Sequence, residues 1–362
     1  MKVRREVEWP RLTYRASALF VLLVAGFARL YALQDVPPGL VRDETLNADI
    51  AMFIRQGRHA LFFREGFGHE PLYHYLAAPW AVLWGDNYLA VRLPSVFIGL
   101  LLVAVTMGWA RRAFGEGVSL VTGVLLAVSW WPVVFSRIGL RPILLPLCMV
   151  LAAWYIRRKP VVAGVWLAAG IYSYTAGRVA YLLPLGYGLT LGLSGAYRNR
   201  EGVRWWRPWL AAGTAFGLYL PLAYVLWRDP SLQERVRQLE GPLTALRVGD
   251  WGPLAESVLG TLGVFSVAGD PLWSYGWPGV PLFGLGLAFL FYSGLVVAAG
   301  RAWGEGSYQY LLLWLGWGLV PSGVTPDAPS LVRLVGGMPA LYTLVGIGGV
   351  YWWEVMERRL GM

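Results

Sequence analysis

Long apolar runs recur along this chain, and its basic residues collect in the short links between them. A helix needs about 20 apolar residues to cross the hydrocarbon of a bilayer, where every backbone amide must be satisfied inside the segment. Runs of this kind fall at about 16–33, 91–110, 118–135, 142–156, 161–176, 179–194, 208–227, 279–299, 308–321 and 334–353. Several are shorter than a full crossing, so neighbouring helices and polar ends must complete them. Only 14% of the 362 residues are charged and 57% are hydrophobic, whereas a soluble chain carries roughly a quarter charged residues. The expectation is an all-α polytopic membrane protein, one integral domain over 1–362 with about ten transmembrane helices.

The net charge of +10 raises nucleic acid as a partner, and the placement of the charges excludes it. With the N-terminus inside, the inner segments hold Lys2, Arg4, Arg5, Arg11 and Arg15; Arg111 and Arg112; Arg157, Arg158 and Lys159; Arg198, Arg200, Arg204 and Arg207; Arg301; and Arg358 and Arg359. Every inner link is basic, as the positive-inside rule requires, and both termini are expected in the cytoplasm. The single cysteine, Cys148, lies in an apolar run, so no internal disulfide forms. No cleavage pattern follows the first run, which reads as an anchor.

Two outer loops are long, about 34–90 and about 228–278. In the first, 44–56 reads as an amphipathic helix with Leu46, Ile50, Phe53 and Ile54 on one face, ended by Gly57. Residues 71–84 are apolar and aromatic but short, which suits a helix lying in the interface. In the second, a charged helical piece at 231–239 precedes turns around Gly269-Asp270-Pro271-Leu272-Trp273. There is no internal repeat, and no soluble domain is expected after the last span.

Some charges do not fit an anchoring role. Asp43 and Glu44 stand side by side just past the outer end of the first span. Arg137 and Arg141 occupy one short outer link, Arg178 the next, and Arg333 the last. Each arginine taken alone fits snorkelling to lipid phosphates; as a set at one membrane level they suit a phosphate or pyrophosphate group, gripped by planar guanidinium forks. The acid pair has two readings as well. It is either a favourable start to a helix or a base facing an anion site. A second acidic point is Glu70, between His69 and Pro71, with Tyr73 and His74 following. The five-residue spacing of the histidines places them poorly on one helical face, so no metal site is assigned; a divalent metal shared with Asp43 or Glu44 is the minor alternative.

The ordered fragments PPGLVRDETLN, HEPLYHYLAAPWAVLWG followed by RLPS, SRIGLRP, YSYTAGR, AGDPLWSYGWPGVPL and APSLVRLVGGMP resemble the GT-C superfamily. Within it they are similar to bacterial members of glycosyltransferase family 39, relatives of protein O-mannosyltransferases and of the aminoarabinose transferase that modifies lipid A. The resemblance runs through most of the chain. It implies a GT-C-type fold with a long first outer loop carrying juxtamembrane helices, a polyprenyl-phosphate-linked sugar as donor, an acceptor on the outer face and inversion at the anomeric carbon. It maps the catalytic aspartate to Asp43 and the second acidic position to Glu70, and it sets Arg137, Arg141, Arg178 and Arg333 where donor phosphate binds. Two departures stand out. Many relatives end in a soluble outer domain and none is expected here, so a partner subunit is one candidate source of acceptor recognition. Ser330 also stands where relatives often carry another polar residue such as His.

The resulting expectation is a glycosyltransferase of the cell membrane, working on the outer face without a cofactor. Asp43 takes the proton of an acceptor hydroxyl, Glu44 and Glu70 orient Asp43 or the acceptor, and the arginines offset charge on the departing polyprenyl phosphate. The segment 71–84 holds the prenyl chain, with His69, Tyr73, His74 and Tyr174 in the donor and acceptor neighbourhood. The acceptor is a glycan, a lipid or a protein. Two other classes fit the same residues: a flippase for a lipid-linked sugar, which needs no base, and a non-catalytic subunit that binds a lipid-linked glycan for a partner.

Overall fold

The structure, a computed structural model, describes residues 11–85, 87–193 and 204–360, so the inner charges expected at Lys2, Arg4, Arg5, Arg198 and Arg200 lie outside the described residues. Among the described residues all regular structure is helical, and one isolated bridge pairs Phe63 with His69. The first helix, α1 (Arg11–Leu30), shows how the chain sorts its surface. Val21 and Ala25 are buried, while Leu19, Phe20, Leu23 and Phe27 are exposed on the other side. Large apolar side chains facing outward along a helix are what a lipid-facing wall requires.

Two juxtamembrane helices follow in the first outer loop, α2 (Arg42–Arg55) and α3 (Leu72–Trp84). Both lie within a residue or two of the expected 44–56 and 71–84. The thirteen residues of α3 reach only about 20 Å, short of the roughly 30 Å hydrocarbon core. Next come α4 (Tyr88–Phe114), α5 (Glu116–Val128) and α6 (Trp130–Arg137). The expected span at 118–135 is thus two helices, bent by 55° at Ser129. The break leaves the last carbonyls of α5 without helical donors, and Arg29 supplies them. Its Nη2 donates to the Leu126 carbonyl at 2.9 Å and its Nη1 to the Ala127 carbonyl at 3.2 Å.

The short helices α7 (Leu144–Tyr155), α8 (Pro160–Ile171) and α9 (Leu182–Leu193) have 12 residues each, about 18 Å of rise. None of the three crosses a bilayer unaided. Helix α10 (Trp206–Arg228) leads to the second outer loop. That loop holds α11 (Glu234–Gln238), α12 (Gly241–Arg247) and α13 (Gly252–Gly263), more helix than the single charged piece expected there. The chain closes with α14 (Leu285–Ala302), α15 (Gly306–Gly323), α16 (Leu331–Leu334) and α17 (Met338–Leu360). Five described helical segments are long and apolar enough to cross a membrane alone, six if the bent pair counts as one. By length and composition the expected count of about ten transmembrane helices is not confirmed; the remaining apolar helices are short or interrupted, as expected for several of them.

The core of the bundle is α17, buried continuously from Met338 to Gly348. It packs on α14 through two glycines. A Cβ on Gly294 would meet the Leu344 carbonyl at 1.9 Å, and one on Gly348 would meet the Leu290 carbonyl at 1.9 Å. Small residues that let backbones touch are the usual device of helix contacts in lipid.

Candidate active site

The end of the bundle that carries α2 and α3 gathers the candidate acidic residues, and their hydrogen bonds separate them. Neighbouring residues on a helix face different ways, so Asp43 and Glu44 have different surroundings. Glu44 is fully buried. Its Oε1 accepts from Arg92 Nε at 2.9 Å and from the Gly139 N–H at 3.0 Å; its Oε2 accepts from the Val41 N–H at 2.9 Å and from Arg92 Nη2 at 3.4 Å. A carboxylate has about four acceptor positions, and all are occupied. Asn47, one turn on, donates its Nδ2 to the Gly139 carbonyl at 2.6 Å. Glu44 and Asn47 thus hold both backbone polar groups of Gly139 and fix α2 on it. Gly139 also sits close against α4, where a Cβ would meet the Val91 carbonyl at 2.6 Å.

Glu70 is likewise buried and saturated. Its Oε2 accepts from Arg141 Nη1 at 3.0 Å; its Oε1 accepts from Arg178 Nη2 at 2.9 Å, Arg178 Nε at 3.2 Å and Thr175 Oγ1 at 2.9 Å. This one carboxylate ties three separate outer links together. Asp270 does the same for the second outer loop. Its Oδ1 accepts from the Leu272 N–H at 2.8 Å and its Oδ2 from the Leu331 N–H at 2.7 Å, and burial holds its carboxyl above the usual range.

Asp43 differs from all three. It is half-buried, and among the described residues it accepts one hydrogen bond, from Tyr275 Oη at 3.2 Å. Burial, and then the nearby Asp43 charge, push the Tyr275 hydroxyl up, so it stays protonated and donates. Around this pair stand Tyr174, Arg141, Arg235 and Arg333, whose charges act on Tyr174 or Tyr275. The Arg141 guanidinium lies over the Tyr174 ring at 5.5 Å. Arg333 donates to Thr325 Oγ1 at 2.8 Å and to the Pro326 carbonyl. No carboxylate lies within ion-pair distance of Arg235 or Arg333 among the described residues.

The structure therefore brings Asp43, Tyr174, Glu70, Arg141, Arg178 and Arg333 to one end of the molecule. It sends Arg137 elsewhere. That guanidinium donates to the carbonyls of Ala28 at 2.9 Å, Tyr31 at 2.8 Å and Val36 at 2.7 Å, closing the C-terminal end of α1. Tyr73 is buried with its hydroxyl on Ser95 Oγ at 2.7 Å. His69 Nδ1 and His74 Nε2 share a hydrogen bond at 3.2 Å. Burial, with Arg141 beside them, holds both imidazoles neutral, that of His74 down to about 3. Among the described residues no three His, Cys, Asp or Glu stand close enough to hold a metal ion. The two histidines bond each other and Glu70 is held by two arginines, so these three residues are occupied by protein partners.

Sequence reasoning does not single out Tyr275, Arg235, Asp270 or Arg92. Their signals were present: Asp270 and Tyr275 sit inside the AGDPLWSYGWPGVPL fragment, Arg235 in the charged piece of the second loop, and Arg92 opens an apolar run that has no use for a charge.

No protein-family model matches the chain, and no curated protein matches it. Solved structures do. The archaeal oligosaccharyltransferase AglB from Archaeoglobus fulgidus, in complex with an inhibitory peptide and a dolichol-phosphate, aligns with a TM-score of 0.60 at 13% identity, over 97% of this chain and 52% of its own. ArnT from Cupriavidus metallidurans bound to undecaprenyl phosphate aligns with a TM-score of 0.56 at 16% identity, over 93% of this chain and 59% of its own. In its apo state ArnT aligns with a TM-score of 0.60, over 95% and 61%. The chain spans a little over half the length of these proteins. At this identity the likeness speaks for the architecture alone: a multi-pass helical membrane protein with the transmembrane fold of these structures.

Proposed function

We propose that this chain is an inverting membrane glycosyltransferase that moves a sugar from a polyprenyl-phosphate-linked donor to an acceptor hydroxyl at the outer face, with Asp43 as general base. One observation carries the assignment. Glu44 and Glu70 each accept four hydrogen bonds and Asp270 accepts two, whereas among the described residues Asp43 accepts one and keeps acceptor capacity beside the tyrosine that holds it. The fold likeness to proteins solved with dolichol-phosphate and undecaprenyl phosphate supports the donor class.

The chemistry balances as a single displacement. The acceptor O–H gives its proton to Asp43 as its oxygen bonds to the anomeric carbon. The bond from that carbon to the phosphate oxygen breaks, and its electron pair leaves on the polyprenyl phosphate. Arg141, Arg178, Arg235 and Arg333 offset the charge that grows there, with Glu70 holding the first two in place. General-base help of this kind is worth roughly 10²–10⁴ in rate. In proteoliposomes given a polyprenyl-phosphate sugar and candidate acceptors, Asp43→Asn is expected to lower turnover by about a hundredfold or more with the fold retained. Near-normal turnover of that variant would remove the base assignment. Translocation of the donor without a glycosylated product would make the chain a flippase.

A further inference from the structure

The opposite end of the bundle carries a second built pocket. Helix α4 spans the distance: Arg92 near its start holds Glu44, and Arg112 sits twenty residues on, about 30 Å away along the axis. Around Arg112 opens a pocket of about 400 Å³, lined by Arg157, Arg158, Arg207, Trp154 and Tyr310 among others. That volume lies within the range of small-ligand sites.

The pocket is braced from within. The Trp154 ring lies against Gly108, where a Cβ would meet it at 2.6 Å. The Arg112 guanidinium rests over that ring at 4.7 Å. Arg207 donates to the Arg157 carbonyl, and Arg157 donates to Ser307 Oγ at 3.1 Å. Among the described residues Arg112, Arg158 and Arg207 have no carboxylate within ion-pair distance. An independent feature of the wall also points to a ligand. Tyr310 is 4% exposed, and among the described residues its hydroxyl finds no hydrogen-bond partner.

From this arrangement we infer that the pocket binds a phosphate group, carried by an anionic phospholipid of the leaflet at that end. Four arginines line one pocket where a generic basic belt would need only scattered charges, and a phosphate offers them acceptor oxygens. Basic pockets between membrane helices take anionic headgroups for this reason. The site stands apart from Asp43 and does not depend on the reaction proposed for it.

Native mass spectrometry of the full-length chain, released from detergent containing phosphatidylglycerol and phosphatidylcholine, tests the inference. The wild type is expected to retain phosphatidylglycerol selectively. Arg112→Gln/Arg158→Gln, both at exposed positions, is expected to retain it about tenfold less, since two charge-assisted contacts are lost. The charge-matched variant Arg358→Gln/Arg359→Gln, at the same end of the bundle but outside the pocket, is expected to behave as wild type. Equal loss in both variants would reduce the pocket to the general basic belt, and no loss in either would overturn the site. Complete displacement of the lipid by millimolar inorganic phosphate or glycerol phosphate would overturn the lipid as the carrier.

Discussion

Asp43 and Glu44 are adjacent carboxylates with opposite fates, and substitutions should separate them. Glu44→Gln breaks a fully buried ion pair with Arg92, a loss of about 3–5 kcal/mol. It is expected to appear as a large drop in melting temperature in detergent, whereas Asp43→Asn keeps the wild-type melting temperature and loses turnover. From sequence the two residues looked like partners, because which acid is committed depends on residues 92 and 139, distant in the chain. The same holds for Arg137 and Arg141, four residues apart in one link. One closes the end of α1 and the other grips Glu70. The buried histidines add a pH signature. Burial holds His69 and His74 below their ordinary 6.5, so the unfolded chain takes up protons that the folded chain refuses. Stability is full above about pH 6.5 and falls below it, by about 1.4 kcal/mol per pH unit for each histidine, down to about pH 3 for His74. Melting curves between pH 7.5 and pH 5 should show this fall, and His69→Gln/His74→Gln should flatten it.

At the scale of elements, the apolar pattern placed the helices well wherever packing left them straight. It placed α2 and α3 within two residues because Gly57 and Pro71 punctuate them. It ran α5 and α6 together, since a run of apolar residues carries no mark of a bend that Arg29 stabilises from another helix. The contact between α14 and α17 was equally hidden: Gly294 and Gly348 read as ordinary glycines until the two backbones are seen to touch. Gly348→Ala forces a methyl group onto the Leu290 carbonyl and must push the helices apart. An overpacking loss of about 1–3 kcal/mol follows. Thermal unfolding in detergent is expected to register it, and Ala298→Gly, at a buried alanine of α14, would not reproduce a steric loss.

The whole molecule has two charged ends joined by an apolar waist, and the positive-inside rule orients them. With Cys148 buried and the chain's sole cysteine, single added thiols report the sides cleanly. Val248→Cys, at a position 82% exposed in the second outer loop, is expected to react with a membrane-impermeant maleimide on intact cells. Gly304→Cys, in the exposed link between α14 and α15, is expected to react only after the membrane is opened. Labelling of Gly304→Cys in intact cells would invert the topology.

The carboxylate of Glu70 finds its partners at residues 141, 175 and 178, whereas Asp43 finds Tyr275 only 232 residues further along the chain. Synthesis runs in that same order. A ribosome that has delivered the first half leaves a framework already knit by Glu44 and Glu70, with its reactive acid still unaccompanied. Only when the second outer loop has been translocated does Asp43 gain its companion. Under the proposed function, the site around Asp43 is thus completed late in biogenesis, after the scaffold that Glu44 and Glu70 hold together.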